Sequence, residues 1–283
     1  MQSKAIAKKH RYSSWVKHLD LILLSLIMVF PIFWWFFATF KPLSELGSRN
    51  ILPVQWTLKN YINGWQMTKD LTFGRLFLNT LFIVSINVIG AVTSGSLVAY
   101  AFGRMEFKFK NFWFSIVMMT LMLPSQVTVV SQYIMYNKLN LVNTYIPLIL
   151  PYCLGGGAFF IFLLVQFIRG IPRELDESAK CDGASTFCIY LHIIVPLLKA
   201  PLTTVAIYAF IWSWDDFYSQ MLYLSTPAKF TVGLGLRMLV DQWEIKWGEL
   251  FAMSLLSILP SLILFFTRQK DFIEGVAASG IKG

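Results

Sequence analysis

Residues 174–201 read ELDESAKCDGASTFCIYLHIIVPLLKAP. Glu174, Asp176, Glu177 and Asp182 crowd the first nine positions, and long apolar runs flank the stretch on both sides. Across all 283 residues, 56% are hydrophobic, 14% are charged and the mean hydropathy is +0.60. That is too apolar and too sparsely charged for a soluble domain, and it points to several membrane spans. The polar stretch is therefore an interruption in a membrane chain, facing water on one side of the bilayer.

Its local chemistry predicts a helix, a tight turn and a second helix. Pro172 suits a first helical position, and the acidic residues favour the first turns, where the helix dipole is positive. Gly183 suits a left-handed stop, so a helix of about three turns is expected before it. Leu175 and Ala179, four apart, share a face, and the small Ser178 and Ala179 leave room for another surface. Ser185 is a candidate N-cap for a second helix that buries Phe187, Tyr190, Leu191 and Ile194 and ends before Pro196.

Working outward, six spans are expected at about 19–40, 76–103, 111–136, 145–168, 200–217 and 250–268, in one transmembrane domain covering 1–283. The first is long enough to cross the hydrocarbon layer and is read as uncleaved. The fold class expected is all-α: a polytopic membrane protein with six transmembrane helices. Alternate segments hold 15 and 9 of the 24 Lys and Arg residues. By the positive-inside rule the richer side is cytoplasmic; it includes both terminal tails, the basic loop 104–110 and the loop 169–199. Trp15 and Trp113 then fall at the inner interface, and Trp34, Trp35, Trp212 and Trp214 towards the outer one. The net charge of +9 follows from topology and does not argue for nucleic acid.

The outer segment 41–75, with Pro42, Gly47, Pro53, Gly64 and Gly74, reads as a folded loop. Leu236, Leu239, Val240, Trp243 and Trp247 recur at helical spacing, with Asp241 and Glu244 off that stripe. They predict a short amphipathic helix that lies at the outer interface or packs on the spans. Cys153, Cys181 and Cys188 have no metal-ligand spacing and read as packing residues. No internal repeat or soluble-domain linker is visible.

The apolar cores of the spans contain no Asp, Glu, Lys, Arg or His. Ion coupling ordinarily needs such a group in the membrane, so energy for uphill movement must come from elsewhere. The chain has no phosphate-loop motif of its own, and His10, His18 and His192 show no catalytic or metal spacing. Asn79, Ser85, Asn87, Thr93 and Ser94, with Gln126 and Gln132, either line a hydrophilic path or hydrogen-bond between helices. Gly90 with Ser94, and Gly155, Gly156 and Gly157 behind Pro147 and Pro151, allow close helix approach or a kink.

Glu177-Ser178-Ala179, then Asp182-Gly183-Ala184, then Ile193 and Pro196 ten and thirteen residues after the glycine, closely resemble the EAA motif of permease subunits of binding-protein-dependent ABC importers. Ser178 replaces the usual alanine, and Tyr190 stands where phenylalanine is common. The six spans, the long first external loop, Trp214-Asp215-Asp216-Phe217 and the ending from Phe272 to Gly283 are similar to the carbohydrate branch, in particular to its maltose-type second permease. The resemblance implies that the loop 169–199 carries a coupling helix. Glu174, Asp176, Glu177, Ser178, Ala179, Asp182, Gly183, Ala184, Ile193 and Pro196 would serve contact with a cytoplasmic ATPase.

It further implies a non-enzymatic subunit that binds no cofactor, ATP and Mg being used by two partner ATPases. A sister permease, an extracellular binding protein and a sugar substrate complete the expected partners. Sugars are held by aromatic rings and by amide or hydroxyl groups, which makes Asn79, Asn87, Gln126, Gln132 and Trp214 candidates for the translocation path. An importer of a non-sugar solute, an ion-coupled transporter or channel, and a membrane enzyme are the alternatives.

Overall fold

Long apolar segments leave the backbone no partner but itself in a bilayer, so they fold as helices. The computed structural model describes residues 2–240 and 245–280, with side chains for 15–124, 126–240 and 245–269. Among the described residues, four helical stretches are long and apolar enough to cross a membrane: Trp15–Ala38, Phe73–Arg104, Ile146–Gly170 and Trp247–Gln269. Two bent pairs raise the total to six if each is one span. The helices are α1 Gln2–Ala38, α2 Lys59–Trp65, α3 Phe73–Arg104, α4 Lys110–Met122, α5 Ser125–Lys138, α6 Ile146–Cys153 and α7 Ala158–Gly170. There follow α8 Glu174–Cys181, α9 Thr186–Leu197, α10 Lys199–Trp214, α11 Phe217–Tyr223, α12 Val232–Met238 and α13 Trp247–Gly280. Two short strands, Gln66–Thr68 and Leu71–Thr72, precede α3.

The expected third span, 111–136, is not one straight helix. Leu123 and Pro124 are extended, and α4 and α5 diverge by 106°. A proline has no N–H to continue the ladder and forces its predecessor away from helical backbone, which accounts for the break. The expected fifth span, 200–217, ends earlier: α10 stops at Trp214, and Asp216 Oδ1 caps α11 by accepting from the Ser219 N–H at 3.0 Å. The amphipathic helix expected around 236–247 is not continuous. Leu236 belongs to α12, Val240 pairs with Ile245 in an isolated antiparallel bridge, and Trp247 opens α13. Trp243, Asp241 and Glu244 lie outside the described residues.

Contacts divide the chain into two units, Met1–Lys69 with Met238–Leu256, and Asp70–Arg237 with Ser257–Gly283. In the first, the indole N–H of Trp35 donates to Phe251 O at 3.2 Å, and the buried Asn60 amide donates to Thr39 O and Lys41 O at 2.8 Å each. Gly248 permits this packing, since a Cβ there would lie 2.3 Å from Asn60 Oδ1.

In the second, α3 is the central post, packed by α6, α7 and α10. Its core includes Ala91, Ala99, Phe160, Leu164, Val165, Ile168, Ile189, Ile194 and Val205. Gly155, Gly156 and Gly157 have φ of +106°, +71° and +104°, and a Cβ on Gly156 would strike Ala91 Cα at 2.9 Å. Ser94 Oγ locks this break by donating to Tyr152 O at 3.0 Å and accepting from the Gly155 N–H at 2.9 Å. Close approach and a break are thus both realised where the small residues predict them. Gly103 has the same role lower on α3: a Cβ would lie 2.5 Å from Ile168 Cγ2. Gly103→Ala is expected to cost about 1–3 kcal/mol through overpacking, read as a lower unfolding temperature of the purified protein in detergent.

Candidate functional site

The polar interruption folds as α8, a turn and α9. Arg173 precedes α8, accepting through its carbonyl from the Asp176 and Glu177 N–H groups at 3.0 and 3.1 Å. Pro172 therefore lies before the helix and not in its first turn, and α8 is eight residues long, nearer two turns than three. Its end is a complete left-handed stop. Gly183 has φ +80°, its N–H donates to Lys180 O at 3.0 Å, and the Ala184 N–H reaches back to Ala179 O at 2.9 Å. A Cβ on Gly183 would meet nothing within 4 Å, so what selects glycine is the backbone and not space.

Beyond the turn, Ser185 Oγ accepts from the Cys188 N–H at 3.3 Å and starts α9. Of the four residues expected to be buried there, Tyr190 and Ile194 are, whereas Phe187 and Leu191 are exposed; Ile189 takes the inward position instead. Nor does the helix end before Pro196. Residues 190–194 form a widened π turn, Val195 N–H bonding to Tyr190 O, and the helix runs through Pro196 to Leu197. Pro196 has no N–H for the carbonyl four residues earlier, and a wider turn accommodates that lost bond without ending the helix. The bend into α10, 79°, falls at Leu198.

The helix–turn–helix is pinned along one stripe of α3. Ser96, Tyr100 and Arg104 are four apart and so share a face. Ser96 Oγ and Tyr190 Oη lie 2.7 Å apart in a buried hydrogen bond. Tyr100 Oη donates to Thr186 O at 3.2 Å. Arg104 Nη2 donates to Ile171 O at 2.6 Å, and its Nε lies 3.0 Å from Asp176 Oδ2. This last contact is a buried ion pair, bent away from good hydrogen-bond geometry, and Asp176 Oδ1 has no hydrogen-bond partner among the described residues. Three residues of α3 thus hold the loop through four polar contacts, to α8, to α9 and to the backbone that precedes α8.

The ten loop residues singled out from the sequence divide accordingly. Glu174, Glu177, Ser178, Asp182 and Gly183 are exposed and free to meet a partner. Asp176 is turned inward, because its carboxylate is the counter-charge of Arg104. Ala179, Ala184 and Ile193 pack on the core around α3, and Pro196 is exposed on α9. Ser96, Tyr100 and Arg104 were not among the candidates. The signal that could have found them is two polar groups and a charge at four-residue intervals in an apolar helix.

The path candidates also divide. Asn79 Nδ2 donates to Ala228 O and Phe230 O at 3.1 and 2.9 Å, and the buried Asn87 donates to Ser213 Oγ at 2.7 Å. Trp214 is buried, with its indole N–H on Ser257 O at 3.1 Å and its ring stacked on Phe210. These three are engaged within the unit. Gln126 and Gln132 are exposed on α5. Among the described residues, no three of His, Cys, Asp and Glu converge as a metal site.

Comparison with known proteins identifies the family. Residues 91–269 match the family described as binding-protein-dependent transport system inner membrane component. The chain is 32% identical to the arabinooligosaccharides transport system permease protein of Halalkalibacterium halodurans, over 95% of this chain and 97% of the relative. It is 30% identical to the galactooligosaccharides transport system permease protein of Bacillus subtilis, over 94% of each chain. Its fold is that of a chain in the crystal structure of a bacterial ABC transporter involved in alginate import, with a TM-score of 0.80 at 20% identity, covering 92% of this chain and 96% of the other. Multiple apolar helices and a match over most of its length lead to one assignment: the chain belongs to the family of inner membrane components of binding-protein-dependent transport systems.

Proposed function

We propose that this multi-pass membrane permease imports a sugar or oligosaccharide, paired with a sister permease and driven by two cytoplasmic ATPases that use ATP and Mg. An extracellular binding protein delivers the solute. The observation that carries this reading is α8: a short helix exposing Glu174, Glu177, Ser178 and Asp182, yet fixed at its back to α3 through Asp176 and Arg104. Such an element takes a push without deforming, since bent and packed helices move as units. The charge asymmetry supports placing it, with both termini, on the cytoplasmic side. Relatives named for arabinooligosaccharides and galactooligosaccharides support the substrate class. Gln126 and Gln132 on α5 are the path candidates left exposed, and carbohydrate hydroxyls suit amides.

Purification from the native membrane, identification of the co-purifying subunits and a solute panel for stimulated ATP hydrolysis test this reading together. The expected result is a second permease, an ATPase, and stimulation by an oligosaccharide in the presence of its binding protein. Recovery of the chain with no ATPase would overturn the reading, and stimulation by a non-sugar solute alone would overturn its substrate class.

A further inference from the structure

The segment after α1 is a closed, cross-braced loop with an uncharged apolar tip. Lys41 is fully buried, and its ammonium donates to Asn50 O. Glu45 bridges the other way, its Oε2 and Oε1 accepting from the Val54 and Gln55 N–H groups at 3.0 Å each. The Thr57 N–H donates to Phe40 O at 2.9 Å and shuts the base. One cation and one anion are thus used to hold the loop's shape. Its outer surface shows Ile51, Leu52, Val54, Trp56 and Leu58, all exposed, with no charge between Asn50 and Leu58. Arg49 and Lys59, both exposed cations, bracket that stretch.

We propose that residues 51–58 are a membrane foot, seated in the headgroup boundary of the outer leaflet. Three observations choose lipid as the occupant. Every residue from Trp15 to Phe33 on α1 is exposed, and the run 21–33 among them is apolar apart from Ser25, a surface whose composition suits lipid. The loop continues that surface: the Trp56 ring packs 5.7 Å from Phe40 and 6.2 Å from Phe37, where α1 ends. An indole at the end of a span, flanked by cations that suit lipid phosphates, has the chemistry of an interfacial anchor. A foot beside the first span, with its shape fixed internally, would hold this part of the permease at constant depth while other helices move.

This inference rests on the sidedness in the functional reading, and the test separates the two. The native cysteines Cys153, Cys181 and Cys188 are replaced by serine, and spin labels are placed at Leu52→Cys, Val54→Cys and Gly47→Cys. Gly47 is exposed, with open space around it. The assembled transporter is reconstituted in phosphatidylcholine–phosphatidylglycerol vesicles, and collisions with oxygen and with a water-soluble nickel chelate are compared. The expected result is a several-fold higher oxygen-to-nickel ratio at 52 and 54 than at 47. Equal ratios at all three sites would overturn the proposal. So would labels at 52 and 54 shielded from both reagents only when soluble binding protein is added, which would assign the patch to that protein. An impermeant thiol reagent at Gly47→Cys reads the side separately. Reaction only from the cytoplasmic face would overturn the sidedness while a high ratio at 52 and 54 still supports the membrane contact.

Discussion

Replacing Gly183 with valine is expected to leave the chain inserted in the membrane while ATP hydrolysis by the assembled transporter no longer drives uptake. The cause is conformational, because φ is +80° and no atom lies within 4 Å of the missing Cβ. A left-handed backbone costs an L-residue about 1–2 kcal/mol, and a β-branched one more. The strain is relieved by turning the peptide, which breaks the bonds from Gly183 N–H to Lys180 O and from Ala184 N–H to Ala179 O. α8 then loses its fixed angle to α9. An equilibrium biased by that energy shifts about tenfold, so transport assayed in vesicles should fall by at least that order, with hydrolysis continuing without solute. Gly183→Asn, which tolerates the left-handed region, should retain most uptake. Normal uptake in the valine variant would remove the turn from the mechanism.

The ion pair between Arg104 and Asp176 should matter as much for stability as for coupling. Its side chains are only 4% and 11% exposed. Removing one partner of a buried pair strands the other charge, so Asp176→Ala is expected to destabilise the protein by about 3–5 kcal/mol. Thermal unfolding in detergent reads this directly. Arg104→Met with Asp176→Leu, which fills the same space without charge, should recover most of the stability. The double variant then isolates position from stability: uptake restored along with the melting temperature means packing suffices, and uptake still impaired means the pair itself aligns α8 with α3. An Asp176→Ala protein as stable as the parent would contradict the burial assigned to this pair.

What could be read from the sequence alone was what is local. The stop at Gly183, the Ser185 cap and the close approach at Gly90 and Gly155–Gly157 depend on residues within a few positions, or on small side chains whose purpose is plain. The inward turn of Asp176 was not legible, because its partner Arg104 is distant in sequence and an acidic residue in an exposed motif reads as a contact. The same holds for Asn79, Asn87 and Trp214, whose partners at Ala228, Phe230, Ser213 and Ser257 come from other elements. Pro196 and Pro124 misled in opposite directions. Pro196 has the chemistry of a helix stop yet is absorbed by a π turn, and Pro124 sits in an unbroken apolar run yet bends it by 106°. Hydropathy registers that a segment is apolar, not whether it is straight.

The central claim is that the exposed side of α8 is where an ATPase takes hold. A photo-crosslinking amino acid placed at Ser178, exposed on α8, and at Leu78, exposed on α3, compares the two surfaces in the transporter within native membranes. The result expected is a covalent adduct between position 178 and an ATPase subunit, with none from position 78. An absence of any ATPase adduct from 178, in membranes where the transporter is assembled and active, would contradict it.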